Sequence, residues 1–226
     1  MDKKRENGHT MYKTIIFDLD GTLLDTLDDL TAAVNFALTE FGLPIRTREQ
    51  VRGFVGNGIV KLMERAVGEE NLKKVDFEKV LSSFKAYYKV HCADCTKPYE
   101  KVLALLQTLQ EKGVQRAVLS NKADFAVKML AKEYFKDLLQ EAVGENEEAG
   151  IRKKPAPDSL FAVMKKLGAK PEETVYVGDS EVDIQTAENG GVDCISVTWG
   201  FKDRDFLIEN GAKILIDDPM EILKFI

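Results

Sequence analysis

IIFDLDGTLLDT, residues 15–26, runs an apolar strand into two aspartates one residue apart, followed at once by a glycine and a threonine. Ile15, Ile16 and Phe17 read as the buried part of a first strand over 14–19, with Asp18 and Asp20 at its carboxyl end. Two carboxylates that close repel each other unless something positive holds them. The rest of the chain must show what that is.

Working outward, Leu27, Leu30, Val34, Leu38 and Phe41 recur at helical spacing up to Gly42, and residues 43–92 read as wholly helical. After Lys97-Pro98 the character changes. A helix over Val102–Leu109 closes at Gly113, a strand runs Gln115–Leu119, and a helix runs from about Ala123 to Tyr134. A short strand is expected at Leu138–Val143. A helix follows over 158–167, with Asp158 as N-cap and Gly168 as stop. Then come a strand at Thr174–Val177, a helix over 181–189, and strands at Val192–Val197 and Lys213–Ile216. Strand alternating with helix predicts an α/β fold, a Rossmann-like parallel sheet with helices on both faces. The helical block at 26–96 reads as an inserted α-helical cap domain, entered near Asp25–Thr26 and left near Thr96–Tyr99. The core domain is then 11–25 with 97–226, and the polar residues 1–10 are a disordered leader or tag-like extension.

Composition narrows the partners. The chain has 226 residues, 44% of them hydrophobic, enough for one good core and a second small unit. A net charge of −6 gives no support to nucleic-acid binding. No apolar run approaches the roughly 20 residues of a membrane span, and no secretory signal is visible. Three cysteines, Cys92, Cys95 and Cys194, suggest a reducing, cytoplasmic setting. His91-Cys92-Ala93-Asp94-Cys95 lacks the further ligands of a zinc site, so its thiols read as ordinary ones near a helix end, with a redox-sensitive pair as the alternative. A monomer or weak homodimer is expected.

In open parallel sheets, ligands sit beyond the carboxyl ends of the strands, and the unusual polar residues fall there. Asp18 and Asp20 follow the first strand, Ser120 and Asn121 the strand QRAVL, and Gly178-Asp179-Ser180 the strand TVYV. Asp183 lies four residues past Asp179, and Lys154 precedes Pro155-Ala156-Pro157. Hard carboxylate oxygens with room for water suit Mg²⁺. Ser120 and Lys154 suit the oxygens of a tetrahedral dianion, and Gly21 permits a tight turn whose N–H groups can point at phosphate. A cation and Lys154 together would relieve the repulsion between an attacking carboxylate and a phosphate.

DLDGTLLDT, LSNK, RKKPAP and GDSEVD, in that order, resemble the four motifs of the haloacid dehalogenase superfamily, and the helical insert resembles that family's small cap. The resemblance implies Asp18 as nucleophile, forming an aspartyl-phosphate. It implies Asp20 as general acid, then base, with its backbone carbonyl on Mg²⁺. Ser120 and Lys154 would hold phosphoryl oxygens. Asp179 would be a metal ligand and Asp183 a ligand or its supporting partner. Gly21, Thr22, Asn57 and Asn121 are assigned to substrate binding. Dehalogenases lack the second aspartate with Gly-Thr, present here as Asp20 and Thr22. The phosphomutase branch carries a histidine in the first cap helix, where Asp28–Ala33 has none and Leu30 stands near the place. VGNGIVKLMERAVG, residues 55–68, and TWGF…GAKILIDDPMEIL resemble bacterial phosphoglycolate phosphatases. The expected activity is therefore Mg²⁺-dependent hydrolysis of a small phosphorylated metabolite, 2-phosphoglycolate. The alternatives are a pyrophosphatase, a sugar-phosphate phosphatase, a β-phosphoglucomutase-like enzyme or a non-catalytic phosphate-binding relative.

Overall fold

Strand β1 (Thr14–Phe17) is buried along its whole length. Its side chains alternate, so Ile15 and Phe17 enter one core while Ile16 enters the core on the opposite face. Each such burial stabilises the fold by about 1.5–3 kcal/mol. The computed structural model describes residues 11–145 and 150–226; the leader expected over 1–10 lies outside the described residues.

After a turn, the two-residue strand β2 (Leu24–Asp25) leads into five helices: α1 (Leu27–Glu40), α2 (Arg48–Phe54), α3 (Ile59–Val67), α4 (Glu69–Leu72) and α5 (Phe77–His91). Strand β3 (Lys97–Pro98) brings the chain back and pairs antiparallel with β2. The two crossings expected near Asp25–Thr26 and Thr96–Tyr99 therefore form one small ribbon. A buried carboxylate fastens it: Asp29 of α1 accepts from the N–H groups of Cys95 and Thr96 and from the Thr96 hydroxyl at 2.7 to 3.1 Å. The insert helices enclose their own apolar cluster, including Leu30, Val34, Met63, Val80 and Phe84. Helix α2 starts with a capping box between Thr47 and Gln50.

The rest of the chain alternates α6 (Val102–Glu111), β4 (Gln115–Ala123), α7 (Asp124–Tyr134), β5 (Glu141–Glu145), α8 (Asp158–Leu167), β6 (Thr174–Gly178), α9 (Glu181–Gly190), β7 (Asp193–Val197), α10 (Arg204–Glu209) and β8 (Ile214–Ile216). The sheet order is β5–β4–β1–β6–β7–β8, every ladder parallel. The chain builds outward from β1 through β4 to β5, then returns to β6 on the other side of β1. The crevice beyond these carboxyl ends is the place where such sheets bind ligands.

Several boundaries differ from the sequence reading. Strand β4 continues past Leu119 to Ala123, its register with β5 shifting between those residues, so Ser120, Asn121 and Lys122 lie on an irregular strand end. The short strand expected at 138–143 lies at Glu141–Glu145, because Lys136–Leu138 first make a 3₁₀ turn. Asp158 is not the N-cap of α8. Pro157 holds that position, and the Asp158 carboxylate is taken by Arg152 at 2.7 and 2.9 Å. Gly168 does stop α8, with φ of 66°.

Candidate active site

Three carboxylates converge beyond β1 and β6. Asp18, Asp179 and Asp183 each offer an oxygen within 4.8 Å of the others, and all three residues are buried. Asp18 leaves β1 with its N–H on the Val177 carbonyl at 2.8 Å. Asp179 leaves β6, and its carboxylate accepts from the Phe201 N–H at 2.6 Å and the Thr22 hydroxyl at 3.5 Å. Asp183 lies in the first turn of α9, where one oxygen accepts from the N–H and hydroxyl of Ser180 at 3.1 and 2.7 Å, closing a capping box. Its other oxygen faces Lys154.

The Lys154 ammonium is 2.7 Å from Asp183, 3.1 Å from Asp18 Oδ1 and 3.0 Å from the Tyr176 hydroxyl, which itself donates to the Leu119 carbonyl at 2.7 Å. Its approach to Asp18 is not aligned as a hydrogen bond, so Asp18 Oδ1 is a buried carboxylate oxygen with no hydrogen-bond donor. Burial pushes the Asp18 carboxyl up to about 7; Lys154 opposes this, while Asp183 and Asp20 add to it. Asp179 is held well above the usual carboxylate range by burial, then by Asp183 and Asp18. Burial alone would pull the Lys154 ammonium down, but Asp18 and Asp183 outweigh it and raise it. The acids rise chiefly because burial penalises their charged form, whereas the ammonium rises because two carboxylates face it. An orphaned carboxylate oxygen among three carboxylates facing one ammonium fits a hard divalent cation.

Asp20 stands apart from this trio. Its carboxylate takes the Lys122 ammonium at 2.9 and 3.1 Å and the Thr26 hydroxyl at 2.8 Å. The Lys122 ammonium also meets the Tyr88 hydroxyl of α5 at 2.5 Å. Sequence reading gave Lys122, Tyr88 and Thr26 no role. Lys122 stood inside the quoted LSNK, and Tyr88 fell in the stretch 43–92 read as wholly helical.

The residues assigned to substrate binding divide. The Gly21 N–H donates to the Leu24 carbonyl at 2.9 Å and the Thr22 N–H to the Leu19 carbonyl at 3.3 Å, so both are spent inside the turn rather than offered to phosphate. Gly21, with φ of 82°, instead makes room: a Cβ there would lie 2.3 Å from Asp179 Oδ2. Thr22 touches Asp179. Asn121 lines the cavity, but its side chain bridges the N–H and carbonyl of Lys154 at 2.8 and 3.0 Å and reaches the Gly56 carbonyl at 3.2 Å. It positions the lysine loop against the insert. The Asn57 carbonyl oxygen is taken by Arg65 at 2.8 Å, and Asn57 is absent from the cavity wall, to which its neighbours Gly56 and Gly58 contribute.

The cavity between sheet and insert is about 50 Å³, room for a few waters or a small anion. Asp18, Asp20, Ser120, Lys122, Lys154 and Asp179 form its polar floor, and Leu30, Val55, Ile59 and Leu62 of the insert form its roof. Phe201 and Lys202 lie at its edge. The three cysteines are free thiols, and His91 pairs with Asp94 at 2.8 Å.

The model of the haloacid dehalogenase-like hydrolases matches residues 15–197. The chain belongs to this family. Among its relatives, the phosphoglycolate phosphatase of Pseudomonas syringae pv. syringae (strain B728a) is 35% identical over 218 residues, covering 93% of this chain and 78% of that protein. The phosphoglycolate phosphatase of Haemophilus influenzae (strain 86-028NP) is 33% identical over 222 residues, covering 95% and 98%. A crystal structure from Lactobacillus delbrueckii subsp. bulgaricus ATCC BAA-365, provisionally described as a phosphoglycolate phosphatase, superposes with a TM-score of 0.87 at 38% identity, covering 94% and 97%. The chain is thus a phosphatase of the haloacid dehalogenase-like family, and it shares its fold with the Lactobacillus structure. Among the described residues, no helix is long and apolar enough to cross a membrane.

Proposed function

We propose that this phosphatase hydrolyses a small phosphomonoester, 2-phosphoglycolate, with the phosphoryl group carried for a moment on Asp18. One observation carries the reading: a buried Asp18 carboxylate oxygen without a hydrogen-bond donor, beside the Lys154 ammonium on the floor of a small cavity. Asp18, Asp179 and Asp183, with the Asp20 carbonyl, would hold Mg²⁺. When bound, the cation screens the charge between phosphate and attacking carboxylate.

The residues then divide the work. An Asp18 oxygen attacks phosphorus as the bond to the leaving oxygen breaks, and Asp20 gives that oxygen a proton. Water next attacks the phosphorus, passing a proton to Asp20 and freeing Asp18 as inorganic phosphate departs. Lys154 and Ser120 hold phosphoryl oxygens, and the apolar roof excludes bulk water.

Two features support the substrate. Lys122 is committed to Asp20 and Lys154 to the phosphoryl group, whereas Lys202 at the cavity edge lies over the Phe206 ring and pairs with no carboxylate among the described residues. It is a cation for the carboxylate of 2-phosphoglycolate. Leu30, near the place where the phosphomutase branch carries histidine, lines the cavity and supplies no base for a sugar hydroxyl, which favours hydrolysis. The test is phosphate release with Mg²⁺ across 2-phosphoglycolate, sugar phosphates and pyrophosphate. 2-Phosphoglycolate should lead, and a low rank for it would overturn the substrate while leaving the phosphatase mechanism standing.

A further inference from the structure

Lys122 is the most fully engaged side chain beside the reacting centre that the mechanism above does not use. It leaves the irregular end of β4 and is buried, its side chain 2% exposed. Its three ammonium donors have three destinations: both oxygens of Asp20 and the hydroxyl of Tyr88. Thr26, on the first crossing into the insert, adds a third contact to Asp20. Asp20 is therefore gripped from three segments: its own strand end, β4, and the insert through Tyr88 and Thr26.

From this geometry we infer that Lys122 and Tyr88 are positioning residues for proton transfer by Asp20, and that they link the placement of α5 to the orientation of the acid. The inference rests on the phosphatase reading above. A carboxyl that must give its proton along one line to a departing oxygen needs its plane fixed, and a loose one gains nothing from being near. Two ammonium contacts and a hydroxyl define the plane of the Asp20 carboxylate, and Tyr88 fixes the ammonium. With Ile59, Lys122 also lines a second groove on the far side, between α3, α5 and the start of α7, so it is a wall of the catalytic cavity as well as a tether.

The leaving group discriminates this role from a structural one. An alkyl phosphate expels a strongly basic alkoxide and needs the proton, whereas p-nitrophenyl phosphate expels a stable phenolate and hardly needs it. General acid assistance is worth about 10²–10⁴ in rate. Wild-type protein with Mg²⁺ is compared with Lys122→Met and Tyr88→Phe on ethyl phosphate and p-nitrophenyl phosphate. For Lys122→Met the ratio of ethyl to p-nitrophenyl kcat/KM, which reads only the step that expels the leaving group, should fall by about 30-fold or more. For Tyr88→Phe it should fall in the same direction by about threefold to tenfold. Turnover of p-nitrophenyl phosphate reports that each variant is folded, and if Lys122→Met does not fold the milder Tyr88→Phe decides alone. Equal losses on both substrates, or no change in the ratio, overturn the inference. Failure of the wild type to hydrolyse either substrate would instead overturn the phosphatase reading itself.

Discussion

Phe201 donates its backbone N–H to the Asp179 carboxylate at 2.6 Å while its ring is buried in the apolar cluster of the helical insert. One residue thus touches a carboxylate of the proposed metal site and the packing of the insert. Arg52 of α2 reinforces the junction, reaching the Gly200 carbonyl at 3.4 Å and Asp203 at 3.0 Å. Phe201→Ala should therefore do two things. Emptying the aromatic position should cost about 3–5 kcal/mol in urea unfolding. Loosening the 199–203 loop should also weaken Mg²⁺ binding, read as a higher Mg²⁺ concentration for half-maximal thermal stabilisation. A stability loss with unchanged Mg²⁺ dependence would show that the ring packs but does not organise Asp179.

The burial of the Asp18 carboxyl has a signed consequence. Its carboxyl sits at about 7, above the ordinary 3.8, so between those values the folded protein retains a proton that the unfolded chain has released. The Asp18 contribution to metal-free stability should fall as pH rises from about 4 through 7, and the raised Asp179 carboxyl adds a loss of the same sign. Mg²⁺ should restore more at pH 8 than at pH 5.5, measured as the melting-temperature difference between Mg²⁺ and EDTA. Asp18→Asn removes the penalised charge. It should melt higher than the wild type in EDTA at pH 8 while losing at least about a thousandfold in turnover. A variant that melts lower would mean the buried carboxylate is not under repulsion.

How much of this was legible in advance follows the physics of each feature. Continuous apolar runs alternating with helical periodicity state the sheet directly, because parallel strands covered on both faces are apolar throughout. The converging residues Asp18, Asp20, Ser120, Lys154, Asp179 and Asp183 could be listed because parallel strands must end on one side of a sheet. What a side chain does once there was harder to read. Asn121 and Thr22 have polar groups suited to a ligand, yet both are consumed by neighbouring protein atoms, and hydrogen-bond saturation is settled only in three dimensions. Tyr88 lies 68 positions from Asp20 along the chain, and only the folding of α5 over β4 brings its hydroxyl to Lys122.

If Lys202 is the cation that receives the substrate carboxylate, its removal should discriminate between substrates. Lys202→Met should raise KM for 2-phosphoglycolate about tenfold or more, the scale of one charged hydrogen bond. Ethyl phosphate, which lacks the carboxylate, should move little, and Lys202→Arg should recover part of the loss. Steady-state kinetics on the two substrates check this, and parallel changes in both would remove Lys202 from substrate recognition.

Two glycines set a contrast between space and conformation. At Gly200 a Cβ would lie 2.3 Å from both Asp179 Cβ and the Gly21 carbonyl oxygen, fixed groups that cannot rotate away. Gly200→Ala must push the 199–201 loop off Asp179. It should destabilise by about 1–3 kcal/mol and reduce the melting-temperature gain from Mg²⁺. Gly53 lies in α2, where an added Cβ would meet nothing within 4 Å, and its backbone is helical. There an alanine restrains the unfolded chain and suits the helix, so Gly53→Ala should stabilise by about 0.5–1 kcal/mol with turnover unchanged. Urea unfolding and Mg²⁺-dependent melting of the two variants side by side give the comparison. If Gly200→Ala kept its full response to Mg²⁺, close packing of the loop would not be what holds Asp179 in place.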